Sequence, residues 1–111
     1  MTYRLFIDDE RFPPDSDNLN WKIARDWDDV QTIIEQHGMP TMISFDHDLG
    51  DHTYTGYDIT KFLVELDMDG NMLYQIPDEF LFYVHSQNPI GKRNIESYLN
   101  NYLKVRRPDD V

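Results

Sequence analysis

Cysteine is absent from the 111-residue chain, which excludes disulfides and thiolate metal sites. Long apolar runs are absent too, and nothing approaches the roughly 20 residues that a membrane-spanning helix needs. The first residues are strand-like at once and lack the basic-then-apolar layout of a secretory signal, so a cytoplasmic location is the expectation. Positive charge is scarce: 10 Lys and Arg face 21 Asp and Glu, for a formal net charge of −11. The imbalance is local. Residues 1–79 hold 18 acids and 5 bases, whereas residues 80–111 hold 5 bases and 3 acids. An acidic body repels nucleic-acid phosphates, so duplex DNA is disfavoured as a partner unless a metal or a local basic patch intervenes. The acidity reads as simple solubility, as a divalent-metal pocket, or as a surface that imitates nucleic acid and docks a basic protein partner.

Aromatic residues are plentiful: two Trp, seven Tyr and six Phe, within a 40% hydrophobic composition. Such a chain can bury a core and is not a disordered tail. Its length fits a single domain over residues 1–111.

Residues 2–7, 21–24, 41–45 and 80–84 read as short, apolar, buried strands. Pro13-Pro14 and the polar run after them make the first connection too short and proline-rich for a crossover helix. Asp26 is a helix N-cap, with Asp28 and Asp29 in the first turn and Trp27, Val30, Ile34 and His37 at helical spacing. Gly38 and Pro40 stop that helix. Thr55 caps a second, striped by Ile59, Phe62, Leu63 and Leu66. A third is expected over about residues 92–105, with Ile95, Tyr98, Leu99, Tyr102 and Leu103 on one face. Residues 67–79 read as a loop. Asp67, Asp69 and Asn71 bear a faint likeness to a calcium loop, but Gly70 is misplaced and Glu is missing at the twelfth position. Strands alternating with helices imply a mostly parallel sheet with right-handed crossovers.

Three of the strands run into polar clusters: Asp8 and Asp9; Asp46, His47 and Asp48; His85, Ser86, Gln87 and Asn88. In open α/β sheets, ligands bind outside the carboxyl ends of the strands. If Asp8, Asp9, Asp46 and Asp48 converge, some protonate or a cation neutralises them. Hard oxygen donors without Cys favour Mg²⁺, Mn²⁺ or Ca²⁺ over Zn²⁺. The alternative is that these acids merely cap helices and solvate loops. His47 and His85 are the candidate acid–base groups, and His85, directly after a buried strand, is better placed than His37 or His52. Ser86 and Asn88 suit phosphate oxygens or, equally, cap the next helix. Lys92 and Arg93, beside Gly91 at that helix's start, offer an anion seat or plain surface. Arg11 can reach over the same pocket.

The acidic pair in IDDER, the acid in SFDHDL and the hydroxyl residue in HS resemble the response-regulator receiver fold. The resemblance matches Asp8 and Asp9 to metal-binding acids, Asp46 to the phospho-acceptor and Ser86 to the receiver hydroxyl. Departures are the lost first crossover helix and the missing fifth strand with its lysine. Taken together, LFIDDER, ISFDHDLG, TGYDI and FYVHSQNPIG look more like the cyclic-phosphate-processing receiver-like family, over about residues 3–104. This resemblance implies a three-layer, flavodoxin-like α/β fold with about four strands and three helices, the first crossover helix and fifth strand reduced or lost. It also implies a role in opening cyclic phosphates, such as 2′,3′-cyclic RNA ends, in RNA repair or conflict systems. On that expectation Asp8, Asp9, Asp46 and Asp48 hold Mg²⁺ or Mn²⁺, and His85 protonates the leaving oxygen. His47 or Asp48 handles the water, and Ser86, Asn88, Lys92, Arg93 and Arg11 meet the phosphate. A phospho-Asp46 intermediate is the variant closest to receiver chemistry. The competing expectations are an inactive binding module and a phosphorylation-switched receiver.

Overall fold

The computed structural model describes residues 3–13, 21–46 and 54–106. Four parallel strands, β1 (Arg4–Ile7), β2 (Trp21–Ala24), β3 (Met42–Phe45) and β4 (Leu81–Val84), lie in the order β2-β1-β3-β4. Three helices accompany them: α1 (Trp27–His37), α2 (Gly56–Met68) and α3 (Pro89–Arg106). The order is that of the doubly wound flavodoxin-like sheet, with no fifth strand among the described residues, so the receiver-like α/β reading holds.

The helix ends follow local chemistry. Asp26 accepts a hydrogen bond from the Asp29 N–H to start α1, and Gly38, at φ 81°, ends it in a conformation that suits glycine. Thr55 and Asp58 form a reciprocal capping box at the start of α2. The third helix starts three residues earlier than its sequence expectation. Pro89 takes the first helical position, where a missing N–H costs nothing, and Asn88 Oδ1 accepts from the Gly91 N–H at 2.9 Å. Between α2 and β4 lies a short 3₁₀ turn (Met72–Tyr74). Asp67, the first residue of the faint calcium-loop likeness, is buried instead. Its carboxylate accepts from the Ile76 N–H and the Tyr102 hydroxyl, pinning this connection to α2 and α3.

Leu5, Ile7, Ile43, Phe45 and Val84 on the sheet pack with Val30 and Ile34 of α1, Ile59 and Leu63 of α2, and Ile95 and Leu99 of α3 in one core. Trp27 meets Phe62 edge-on, and Tyr57 meets Tyr98, joining neighbouring helices. The chain steps one way from β1 to β2 and the other way from β2 through β3 to β4. With right-handed crossovers, α1 and α2 must share a face, and the β1–β2 connection belongs to the opposite one. That connection has no helix among its described residues. The described helices therefore cover one face, in keeping with the expected reduction of the first crossover helix. Strand alternation points Phe6, Ser44, Leu81 and Tyr83 to this second face; Leu81 and Tyr83 are exposed there.

Candidate functional site

Register assembles the site. Phe6 pairs with Ser44, and Ser44 with Tyr83. Two residues further along each strand, in the same phase of the pleat, stand Asp8, Asp46 and His85. The ladder carries on to them: the Asp46 N–H donates to the Ile7 carbonyl at 2.9 Å, and the His85 N–H to that of Phe45 at 2.8 Å. Adjacent strands lie about 4.8 Å apart. Asp8 and His85 stand two strands apart, yet their side chains reach toward each other to 3.0 Å, so ligand atoms of Asp8, Asp46 and His85 all fall within 4.8 Å of one another.

Asp8, with 1% of its surface exposed, has two acceptor oxygens, each with two donors. Oδ1 accepts the N–H groups of Glu10 and Arg11, both at 2.8 Å. Oδ2 accepts Arg11 Nε at 2.9 Å and His85 Nε2 at 3.0 Å. Burial alone pushes this carboxyl upward. The two backbone bonds, the His85 bond and the Arg11 charge outweigh it, and the net shift is downward. Asp8 is thus ionised at neutral pH. Asp46 is also buried, and Arg11 Nη2 lies 3.9 Å from its Oδ2. Arg25 holds the loop in place: its Nη1 donates to the carbonyls of Asp8 (3.0 Å) and Arg11 (2.6 Å).

His85 is fixed on three sides. Its ring stacks on Phe6, with centroids 4.6 Å apart and planes 1° from parallel. Its Nδ1 lies 2.7 Å from Ser44 Oγ, and its Nε2 faces Asp8. A carboxylate only accepts, so Nε2 carries a proton. Ser44 can donate to a bare Nδ1 or accept from a protonated one. Gly56 supports the wall behind. A Cβ there would stand 2.4 Å from the Asp46 carbonyl oxygen and 3.0 Å from Ile95 Cδ1, so the absence of a side chain lets α2 approach the Asp46 backbone.

A cleft of about 390 Å³ opens over this row, lined by Asp8, Asp9, Glu10, Arg11, Asp46 and Gln87. A larger cavity, about 710 Å³, lies between the start of β4 and the last turns of α3. Glu96 is its one acid and it has no histidine, so it offers no comparable ligand set. Of the sequence candidates, Asp8, Asp46, His85 and Arg11 come together, and Asp9 lines the same cleft. Ser86 Oγ accepts from the Asn88 N–H, and Asn88 caps α3. Lys92 and Arg93 are exposed in the first turn of α3 and do not line the cleft. His47, Asp48 and His52 lie outside the described residues. Sequence reasoning missed Phe6, Ser44, Arg25 and Gly56. The polar Ser44 inside an apolar strand, two residues before Asp46, was the available signal.

The donor set fits a hard divalent cation. Ligands about 2.1–2.4 Å from one ion stand no more than about 4.2–4.8 Å apart, which is the spread found. Asp8 and Asp46 supply carboxylate oxygens, and the His85 Nε2–H beside them stands as a proton donor and not as a ligand.

The family model described as cyclic-phosphate processing receiver domain matches residues 3–101. No curated protein and no solved structure matches the chain.

Proposed function

Since the chain belongs to the cyclic-phosphate processing receiver domain family, we propose that it is a metal-dependent phosphoesterase that opens a cyclic phosphate, such as a 2′,3′-cyclic nucleotide or RNA end. The observation that carries this reading is the convergence of Asp8, Asp46 and His85 within 4.8 Å. Asp8 and Asp46, joined by Asp9 or Asp48, would hold Mg²⁺ or Mn²⁺. When bound, the ion supplies Lewis-acid polarisation of a phosphoryl oxygen and a more acidic water. In the reaction, a water oxygen bonds to phosphorus and one ring P–O bond breaks. The departing alkoxide takes the His85 Nε2 proton, and the water's proton passes to His47 or Asp48. The Phe6 stack and the Ser44 contact keep that imidazole from rotating away, and Ser44 can accept or donate as the ring's charge changes. Arg11, which lines the cleft, offsets the charge that builds on the phosphoryl oxygens.

The test is ³¹P NMR of a 2′,3′-cyclic mononucleotide incubated with the protein and Mg²⁺ or Mn²⁺. A phosphomonoester signal should grow with the wild type and be absent with His85→Ala. An inert wild type across several metals and cyclic substrates overturns the reading.

One observation favours an inactive acidic module that docks a basic partner: the Asp8 carboxylate already pairs with Arg11 and accepts from His85. Salt-sensitive capture of a basic protein that persists after loss of Asp8, Asp46 and His85 would support it.

A further inference from the structure

Arg11 stands where a bound cation would be needed. Its Nε lies 2.9 Å from Asp8 Oδ2 and its Nη2 lies 3.9 Å from Asp46 Oδ2, so one guanidinium spans both carboxylates. The two partners differ in freedom. The Asp8 side chain is 1% exposed and gripped by two backbone N–H groups, whereas the Arg11 side chain is 48% exposed. The Arg11 backbone is itself held, through its carbonyl, by Arg25 Nη1 at 2.6 Å. The loop therefore stays anchored while the side chain has solvent to swing into. Asp8 Oδ2 already accepts from Arg11 Nε and His85 Nε2. A divalent ion takes that oxygen only if a present donor leaves, and the exposed arginine is the one free to go.

Resting on the metal-site reading above, we propose that Arg11 is a built-in counter-cation. It neutralises the buried acids before loading and is displaced from them as the metal enters. Pairing a buried carboxylate with an internal cation offsets its desolvation in the metal-free protein. The same pairing weakens metal affinity, because loading must break the ion pair. A displaced guanidinium has the planar fork that suits a phosphate, so the residue that guards the site also becomes available to the substrate.

The test titrates Mg²⁺ into wild type and Arg11→Gln by calorimetry, and follows the Arg11 Nε–H of the wild type by ¹H–¹⁵N NMR. Arg11→Gln should bind Mg²⁺ on the order of tenfold more tightly. Arg11→Lys, which keeps the charge without the fork, should fall between the two. In the wild type, the Nε–H resonance should shift with the same midpoint as metal binding. If the wild type binds Mg²⁺ but Arg11→Gln binds no tighter, or the Nε–H stays unmoved to saturation, the counter-cation role is overturned and the metal site stands. If neither protein binds Mg²⁺, both are overturned together.

Discussion

Asp8 is the residue on which stability and chemistry meet. Its carboxyl is held below the usual range in the fold by donors that outweigh its burial. Its contribution to stability is therefore complete above the unfolded-state value, about pH 4. It is lost as the pH falls through the lower folded value. Denaturant unfolding between pH 7 and pH 2 should show wild-type stability falling with acid across that window, with Asp8→Asn removing part of the slope. An Asp8→Asn curve parallel to the wild type would contradict this. Ser44 acts through His85 and not on substrate. Ser44→Ala should lower turnover of a cyclic phosphate roughly 10–100-fold, the usual effect of losing a partner that orients a functional side chain. Ser44→Thr, which keeps a hydroxyl, should recover part of it; equal losses in both variants would count against an orienting role. Asp8, Asp46 and His85 were legible as candidates because apolar runs end on them. Phe6 and Ser44 were not, because recognising them requires knowing which strands pair and in which phase.

Among the elements, the start of α2 supports Asp46 most directly. A Cβ at Gly56 would press into the Asp46 carbonyl oxygen, which belongs to backbone and cannot yield cheaply. Gly56→Ala should destabilise the protein by about 1–3 kcal/mol and reduce activity beyond what the lost stability explains, as thermal unfolding and the cyclic-phosphate assay would show. Unchanged melting and unchanged turnover would mean that α2 and β3 do not meet so closely. Thr55→Ala, which removes only the capping box, should cost about 0.5–2 kcal/mol with turnover unchanged in the folded fraction. The capped helices α1 and α2 were readable, because Asp26 and Thr55 announce themselves through side-chain bonds to nearby N–H groups. The start of α3 was displaced by one turn, because Pro89 is itself the first helical residue, a place where its missing N–H costs nothing. Gly56 was hidden for a different reason: its neighbour across space, Asp46, is ten positions away in the chain.

At the scale of the molecule, sheet order and charge decide what can reach the cleft. A mostly parallel sheet was implied by alternating strands and helices, but its order, β2-β1-β3-β4, was not. What the alternation could not convey is that the described helices all lie on one face, since that depends on the direction of each step across the sheet. The site row projects in phase with Phe6 and Ser44, away from the helical core. A net charge of −11 opposes approach of a polyanion more than that of a mononucleotide. Turnover of a cyclic-phosphate oligonucleotide end should therefore trail that of the mononucleotide at low ionic strength. The gap should narrow as salt approaches about 0.15 M, where the screening length is about 8 Å. A gap that widens with salt would point to a basic docking path for the strand, with Lys92 and Arg93 as its first candidates.

The central claim is that strand ends distant in sequence meet around one cation. Anomalous diffraction from a Mn²⁺-soaked crystal tests it most directly. A single strong peak within bonding distance of Asp8 and Asp46 is predicted, with the Arg11 guanidinium turned out of the cleft. A peak bound elsewhere, or none at all while Arg11 still bridges the two acids, would contradict the account.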